Sequence, residues 1–152
     1  MDHGERAYGL FLQGYNCAQS VVVAFSEDMG MEPDFAARIS SSFGGGVGRM
    51  REVCGAVSGM AMVLGVLYGY DTPGDDAVKQ AHYARVQELA GEFQRRCGSI
   101  VCRELLDNPS ADPVPTPRTE DFYHRRPCGG FVRLAAELVE DYLRRNPVEC
   151  QR

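Results

Sequence analysis

Four of the six cysteines in this 152-residue chain stand at positions where helices are predicted to begin. A helix start offers unpaired backbone N–H groups and about half a positive charge, and both favour a thiolate over a thiol. The thiolate is the form that attacks disulfides and binds metals, so we predict these four as the reactive set. They are Cys17 after an Asn16 cap, Cys54 at the start of an uncharged helix, Cys102 three residues after a Ser99 cap, and Cys128 after Pro127.

Arginines stand close in sequence to three of these four cysteines. A guanidinium that turns toward a thiol lowers the pKa of that thiol. The arginines are Arg49 and Arg51 before Cys54, Arg103 after Cys102, and Arg125 and Arg126 before Cys128. The other two cysteines lack this setting, because Cys97 falls at a predicted helix end and Cys150 lies in the tail. We therefore leave both out of the predicted site.

Three functions compete for a set of four such thiols. In the first, the thiols cycle between dithiol and disulfide or hold an electron-transfer centre, which requires the four helix starts to converge at one place. In the second, the same four cysteines bind zinc or an iron-sulfur cluster, although spacings of about 37, 48 and 26 residues differ from the paired CxxC pattern of small zinc modules. In the third, the chain is a non-enzymatic helical accessory protein whose cysteines are buried and inert.

Composition and charge argue against nucleic acid as a partner and against secretion or membrane insertion. A net charge of -5 and a pI near 5.2 argue against binding to nucleic acid. The first residues, "MDHGERAYGL", are acidic and mixed, which is unlike a secretion signal and predicts a cytoplasmic protein. Residues 53–70 carry no charge, but four glycines dilute the stretch, so we predict a buried helix and no membrane insertion.

The elements that must position the cysteines are predicted to be about six helices in a single all-α domain, residues 1–152. The architecture is bundle-like, with the glycine-rich apolar helix at its centre. Between 108 and 127 five prolines and no apolar period predict a loop, which either covers the site or is a loosely ordered connector. Residues 146–152 form a short tail. Helices are predicted over 3–13, 17–30, 33–43, 53–70, 75–96, 100–106 and 128–145.

Several other residues are of types found in phosphate-binding loops or metal sites, but their spacing does not support those functions. The glycine cluster at 44–48 lacks a phosphate-loop pattern and is interpreted as a turn or a close backbone approach beside Cys54. We interpret His82 and His124 as isolated surface or core residues, and we expect His3 to be frayed. Glycines at four-residue spacing in 53–70 allow close helix approach and a homodimer.

The cysteine-containing segments also resemble a known family. "CGAVSG" at 54–59 fits a CGAxxG pattern, "GYNCAQSVV" precedes it, and "GSIVCRELL" and a cysteine opening the last helix follow. In this order the chain resembles the C_GCAxxG_C_C family, small redox-active proteins named for four signature cysteines, over about residues 9–140. The resemblance implies that the signature falls on Cys17, Cys54, Cys102 and Cys128. It implies redox activity, with an oxidoreductase as one form of it, but fixes neither the substrate nor the redox partner.

Overall fold

The computed structural model describes residues 2–149, and its regular secondary structure is helical throughout that range. Six of its eight α-helices have at least eight residues, which confirms the predicted all-α bundle of about six helices. Two further helices, α6 and α7, are short. The helices are α1 His3–Leu12, α2 Cys17–Ala24, α3 Pro33–Ser40, α4 Gly55–Tyr68, α5 Asp76–Cys97, α6 Cys102–Leu105, α7 Glu120–Arg125 and α8 Cys128–Arg145, with a 3-10 turn at Ser41–Phe43.

The start of α2 is fixed by a reciprocal capping box. The side chain of Asn16 accepts a hydrogen bond from the N–H of Gln19 at 2.9 Å, and the Gln19 side chain accepts from the N–H of Asn16 at 3.1 Å. This pair satisfies two N–H groups that would otherwise lack partners, and it makes Cys17 the first residue of the helix. Six of the eight α2 residues are buried, since the helix packs against α1, α3, α4 and α8.

The end of α2 comes earlier than predicted. The apolar stripe indicated a helix as far as Gly30, whereas α2 ends at Ala24 and turns follow. The N–H of Phe25 donates to the carbonyl of Val22, three residues back, which tightens the last turn and breaks the helical period.

The apolar helix α4 packs closely on α2 because two of its glycines lack side chains. A Cβ at Gly55 would lie 3.1 Å from the backbone nitrogen of Ala18, and a Cβ at Gly59 would lie 2.9 Å from the carbonyl oxygen of the same residue. The predicted close approach is therefore confirmed at these two positions, whereas Gly65 faces open space. Among residues 2–149, no helix combines the length and the apolar character needed to cross a bilayer.

The segments before α4 and α6 are joined by an isolated antiparallel bridge between Val53 and Val101. The N–H of Cys54 donates to a carbonyl of the facing segment at 2.8 Å, and the N–H of Cys102 donates back at 2.6 Å. This pairing shortens both predicted helices at their starts, because the bridged residues are extended. It also brings together two cysteines that are far apart in the sequence.

The cap of α6 differs from the prediction. The helix was expected over 100–106 with Ser99 as its cap, but it begins at Cys102 and its N-cap residue is Val101. The Ser99 hydroxyl instead accepts a hydrogen bond from the N–H of Val101 at 2.9 Å. Cys102 remains at a helix start, although the helix has only four residues.

The two long helices follow the predicted bounds within a residue. The side chain of Asp75 caps α5, and Gly98 ends that helix in the left-handed conformation, with φ 93°. Helix α8 begins at Cys128, directly after Pro127, as predicted.

The proline-rich stretch at 108–127, predicted as a loop, contains the helix α7. The Thr119 hydroxyl accepts from the N–H of Phe122 at 3.2 Å, which caps the helix. Acidic residues in the first turn and basic residues in the last turn complement the helix dipole. The loop was predicted because this stretch has no apolar period. The capping interactions nevertheless stabilise a helix of six residues there.

The expectation that His3 is frayed is wrong. Its ring stacks on Phe25 at 4.1 Å between centroids, and its two nitrogens contact Asp28 at 2.8 Å and Glu140 at 2.9 Å. Packing of α1 against α8 and against the turns after α2 holds the first helical residue in place.

Candidate thiol site

The four predicted cysteines line one cavity of about 330 Å³ that is partly open at the surface. Cys17 and Cys128 enter it as the first residues of α2 and α8, and Cys54 and Cys102 enter it from the two bridged segments. All four are free thiols; Cys17 is half-buried and the other three are buried. All four predicted cysteines therefore border the same cavity.

Of the two cysteines left out of the predicted site, the structure describes only Cys97. Cys97 is the last residue of α5 and is not among the described residues that line the cavity. Burial raises the pKa of its thiol. Cys150 lies outside the described residues, so its exclusion stays a prediction.

Cys17 and Cys128 lie in the same cavity, and each shifts the pKa of the other, in opposite directions. The hydrogen bond from Cys17 is the largest cause that lowers the pKa of Cys128, from its usual 9.0 to about 7. The same bond, followed by burial, raises the pKa of Cys17 well above its usual value. Near neutral pH Cys128 is thus the thiol of the pair that ionises, about half of it at pH 7, whereas Cys17 keeps its proton.

The pKa of the Cys128 thiol is lowered in spite of burial, because cationic groups add to the effect of the hydrogen bond. Burial opposes ionisation, whereas the charge of Arg126, a hydrogen bond from Arg126 and the charge of Arg118 favour it. The predicted influence of Arg126 on Cys128 is therefore present.

Cys54 shows that a helix start does not by itself produce a thiolate. Burial raises the pKa of its thiol to about 12, although the N–H groups of Ala56 and Val57 at the start of α4 work in the opposite direction. We expected helix starts to lower the pKa of all four thiols, and for Cys17 and Cys54 this is wrong. The loss of hydration exceeds the attraction of the helix end.

Cys102 receives a hydrogen bond from Arg51, whose Nη1 lies 3.7 Å from the cysteine Sγ. The glycine loop also closes on this residue. A Cβ at Gly46 would lie 2.8 Å from the Cβ of Cys102, and Gly46 has a φ of +74°. The predicted close backbone approach is therefore confirmed, but it is made against Cys102 and not against Cys54.

Two of the predicted arginines turn away from the thiols. Arg103 forms an ion pair with Glu52 at 2.8 Å, and Arg125 forms one with Asp121 at 3.0 Å. Neither lines the cavity. An arginine that is adjacent to a cysteine in the sequence need not turn toward its thiol, because consecutive helical residues point in different directions.

Arg118 is a site residue that the sequence analysis missed. It comes from the segment between α6 and α7, and its Nη atoms donate to the carbonyl oxygens of Phe11 and Tyr15, both at 3.1 Å. Its positive charge helps to lower the pKa of both Cys17 and Cys128. The only sequence signal was that the proline-rich loop leads into Cys128. Five other residues of 108–127 also line the cavity, namely Pro113, Pro115, Thr116, Phe122 and Arg126.

The metal hypothesis requires ligands that approach one point. Within residues 2–149, no group of three or more His, Cys, Asp or Glu side chains is arranged to hold a metal ion. The zinc or iron-sulfur alternative stays a prediction, which elemental analysis of anaerobically purified protein tests.

The two remaining histidines lie apart from the thiols. His82 contacts Arg85 at 2.9 Å, and His124 on α7 is 77% exposed. Neither lines the cavity, in agreement with their interpretation as isolated residues.

Comparison with known proteins identifies a family but no individual relative. No curated protein and no solved structure matches it. Residues 15–142 match the family described as "Putative redox-active protein (C_GCAxxG_C_C)", and this span includes all four cysteines of the cavity. Because the match covers most of the 152 residues, the chain belongs to the C_GCAxxG_C_C family.

Proposed function

We propose that this protein carries out thiol-disulfide exchange, with Cys128 as the attacking thiol and Cys17 as the resolving thiol. The observation that carries the proposal is that these two thiols line one partly open cavity and shift each other's pKa in opposite directions. Family membership supports redox chemistry in general, and the mutual effect of the two thiols on their ionisation within one cavity supports this form of it.

The first step is attack on an external disulfide by the Cys128 thiolate. The Cys128 sulfur forms a bond with one sulfur of the substrate, the substrate S–S bond breaks, and one substrate thiolate leaves. Arg126 and Arg118 favour the anionic form of Cys128, so attack does not require alkaline conditions.

In the second step Cys17 attacks the sulfur of Cys128 in the mixed disulfide. A Cys17–Cys128 disulfide forms, and the second substrate thiolate leaves with the proton that Cys17 held. The substrate disulfide has then gained two electrons, and the two protein thiols have lost two. An external dithiol returns the protein to its reduced form by the reverse exchange.

Cys54 does not compete in the first step. Burial keeps Cys54 protonated, with a pKa of about 12, and a protonated thiol is a poor nucleophile. Cys54 and Cys102 directly follow the two bridged residues, Val53 and Val101, and both line the same cavity.

The experiment that tests this function traps the intermediate. The Cys17→Ser variant reacts with bis(2-hydroxyethyl) disulfide and retains a hydroxyethylthio group on Cys128, which peptide mass spectrometry locates. The wild-type protein releases both halves of the reagent and gains an internal disulfide. Cys97→Ser serves as the control, because Cys97 is outside the cavity, and it behaves like the wild type.

Two outcomes would contradict the proposal. Trapping of the adduct on Cys54 or Cys102 in preference to Cys128 would reverse the assigned roles. No reaction of any cavity thiol on the time scale of free cysteine would favour the accessory-protein hypothesis with inert cysteines.

A further inference from the structure

The thiol cavity is cationic although the chain as a whole is acidic. The described residues that line it include Arg49, Arg51, Arg118 and Arg126 but no aspartate or glutamate. The complete chain carries a net charge of -5. Positive charge is thus concentrated at the one place where a reactant meets the thiols, which favours anionic ligands.

Among the arginines that line the cavity, Arg51 has a buried nitrogen without a hydrogen-bond partner. The residue is only 5% exposed, its Nε donates to the carbonyl of Ser110 at 2.8 Å, and its Nη1 donates to the sulfur of Cys102. Its Nη2 is buried and has no hydrogen-bond partner. A buried N–H group of a guanidinium is costly without an acceptor, so this atom indicates the position of a ligand atom.

Two of the other cavity arginines are already engaged by the protein. Arg49 donates to Asp112 and Thr116, and Arg118 donates to two backbone carbonyls near the end of α1. Arg126 stands beside Cys128 and acts on that thiol. Arg51 is therefore the lining arginine best placed to accept a ligand, next to Cys102.

We propose that Nη2 of Arg51 binds a carboxylate of the substrate, so that the protein acts on small disulfides that carry carboxylate groups. The inference rests on the proposed thiol-disulfide exchange and adds the substrate class. A volume of about 330 Å³ lies at the lower end of the range for small-molecule pockets, about 300–1,000 Å³, which suits a compact disulfide. One carboxylate would satisfy Nη2 while the S–S bond lies in the cavity that Cys128 shares.

The test uses three disulfides with the same two-carbon spacer between sulfur and the terminal group. They are 3,3′-dithiodipropionate, bis(2-hydroxyethyl) disulfide and cystamine, which are anionic, neutral and cationic. The wild-type protein is expected to be oxidised fastest by the anionic reagent and slowest by the cationic one. Arg51→Gln lowers the ratio of the anionic to the neutral rate by about tenfold or more, as expected for loss of one charge-assisted hydrogen bond.

Arg103→Gln is the matched control for this substitution. It removes the same charge from a nearby arginine that pairs with Glu52 outside the cavity, and it leaves the rate ratio unchanged. An equal fall in the ratio in both variants, or no fall in Arg51→Gln, would overturn the assignment.

A binding experiment separates this inference from the proposed function. Suberate has a chain of the same length as 3,3′-dithiodipropionate but no disulfide, so calorimetry with it detects the anion site without any exchange. Suberate is expected to bind the wild-type protein and to slow its reaction with the anionic disulfide competitively. This arm needs no variant, so it holds even where Arg51→Gln fails to fold.

The binding and exchange experiments distinguish failure of the proposed function from failure of the anion site. Suberate binding without disulfide exchange would refute the proposed function and retain the anion site. Exchange that suberate does not inhibit, with equal rates for the anionic and neutral reagents, would refute the anion site and retain the function.

Discussion

Removal of the Cys17 thiol tests the origin of the Cys128 thiolate. The hydrogen bond from Cys17 is the largest contribution that lowers the pKa of Cys128, which is about 7 in place of the usual 9.0. In Cys17→Ala that bond is lost, and we expect the pKa of Cys128 to rise toward 9. Burial and the two arginines remain and act in opposite directions, so we take a return to 9 as the size of the change.

The size of the effect follows from two opposing factors. At pH 7 about half of Cys128 is ionised at a pKa of 7 but only about 1% at a pKa of 9, a fall of about 50-fold. Each thiolate becomes about eightfold more nucleophilic, because reactivity rises with pKa at a Brønsted slope of about 0.45. The net result at pH 7 is a reaction up to about sixfold slower. At pH 9.5 the variant is ionised for the most part and reacts up to about sixfold faster than the wild type.

The assay is the initial rate of loss of bis(2-hydroxyethyl) disulfide between pH 5.5 and 10, with Cys128 confirmed as the modified residue by peptide mapping. The account predicts that the two pH profiles cross between pH 7 and 9.5. Cys97→Ala, which changes a thiol outside the cavity, should reproduce the wild-type profile. Profiles with the same midpoint in Cys17→Ala and wild type would refute the reasoning, since the pKa of Cys128 would then not depend on its partner.

Three further substitutions test other parts of the structure. Arg126→Gln should raise the pH midpoint of Cys128 reactivity, whereas Arg125→Gln, which removes an outward-facing charge, should not; equal shifts would contradict the assignment. Gly46→Ala should lower the free energy of unfolding in urea by about 2–4 kcal/mol, because a Cβ would meet backbone at 2.6 Å at a φ of +74°. Gly48→Ala, at a φ of +56° with open space, should cost only about 1–2 kcal/mol, and equal losses would argue against the close approach. His3→Ala should cost about 2–3 kcal/mol through lost stacking and hydrogen bonds, and a loss below about 0.5 kcal/mol would indicate a frayed terminus.

The helix starts that carry the cysteines could be predicted because their signals are local. The capping box at Asn16 lies within four residues, and Pro127 directly precedes the helix that it introduces. Asp75 and Gly98 bound α5 by the same kind of short-range chemistry. Sequence therefore predicted the class of fold and the placement of the four thiols at helix starts.

The order of thiol reactivity could not be predicted, because it depends on contacts between distant segments. The helix-start argument treats Cys17 and Cys128 alike, whereas the hydrogen bond between them shifts their pKa values in opposite directions. Burial overrides the helix end at Cys54. Arg118 reaches the cavity from a proline-rich segment with no periodic pattern, so nothing near either cysteine in sequence marks it.

The bridge between Val53 and Val101 was missed for a related reason. A single pair of extended residues has no alternating pattern long enough to indicate a strand. It nevertheless shortens two predicted helices and brings Cys54 beside Cys102. The bridge depends on the pairing of two segments that are distant in the sequence, and the propensities of neighbouring residues do not indicate such a pairing.

The most direct test of the central claim is to identify the first disulfide that forms when the reduced protein is titrated with bis(2-hydroxyethyl) disulfide. The sample is alkylated at each stage, digested without reduction and examined by mass spectrometry. The account predicts that a Cys17–Cys128 disulfide forms first and accounts for the first two electrons removed. An initial disulfide between Cys54 and Cys102, or oxidation that leaves Cys17 and Cys128 reduced, would contradict it.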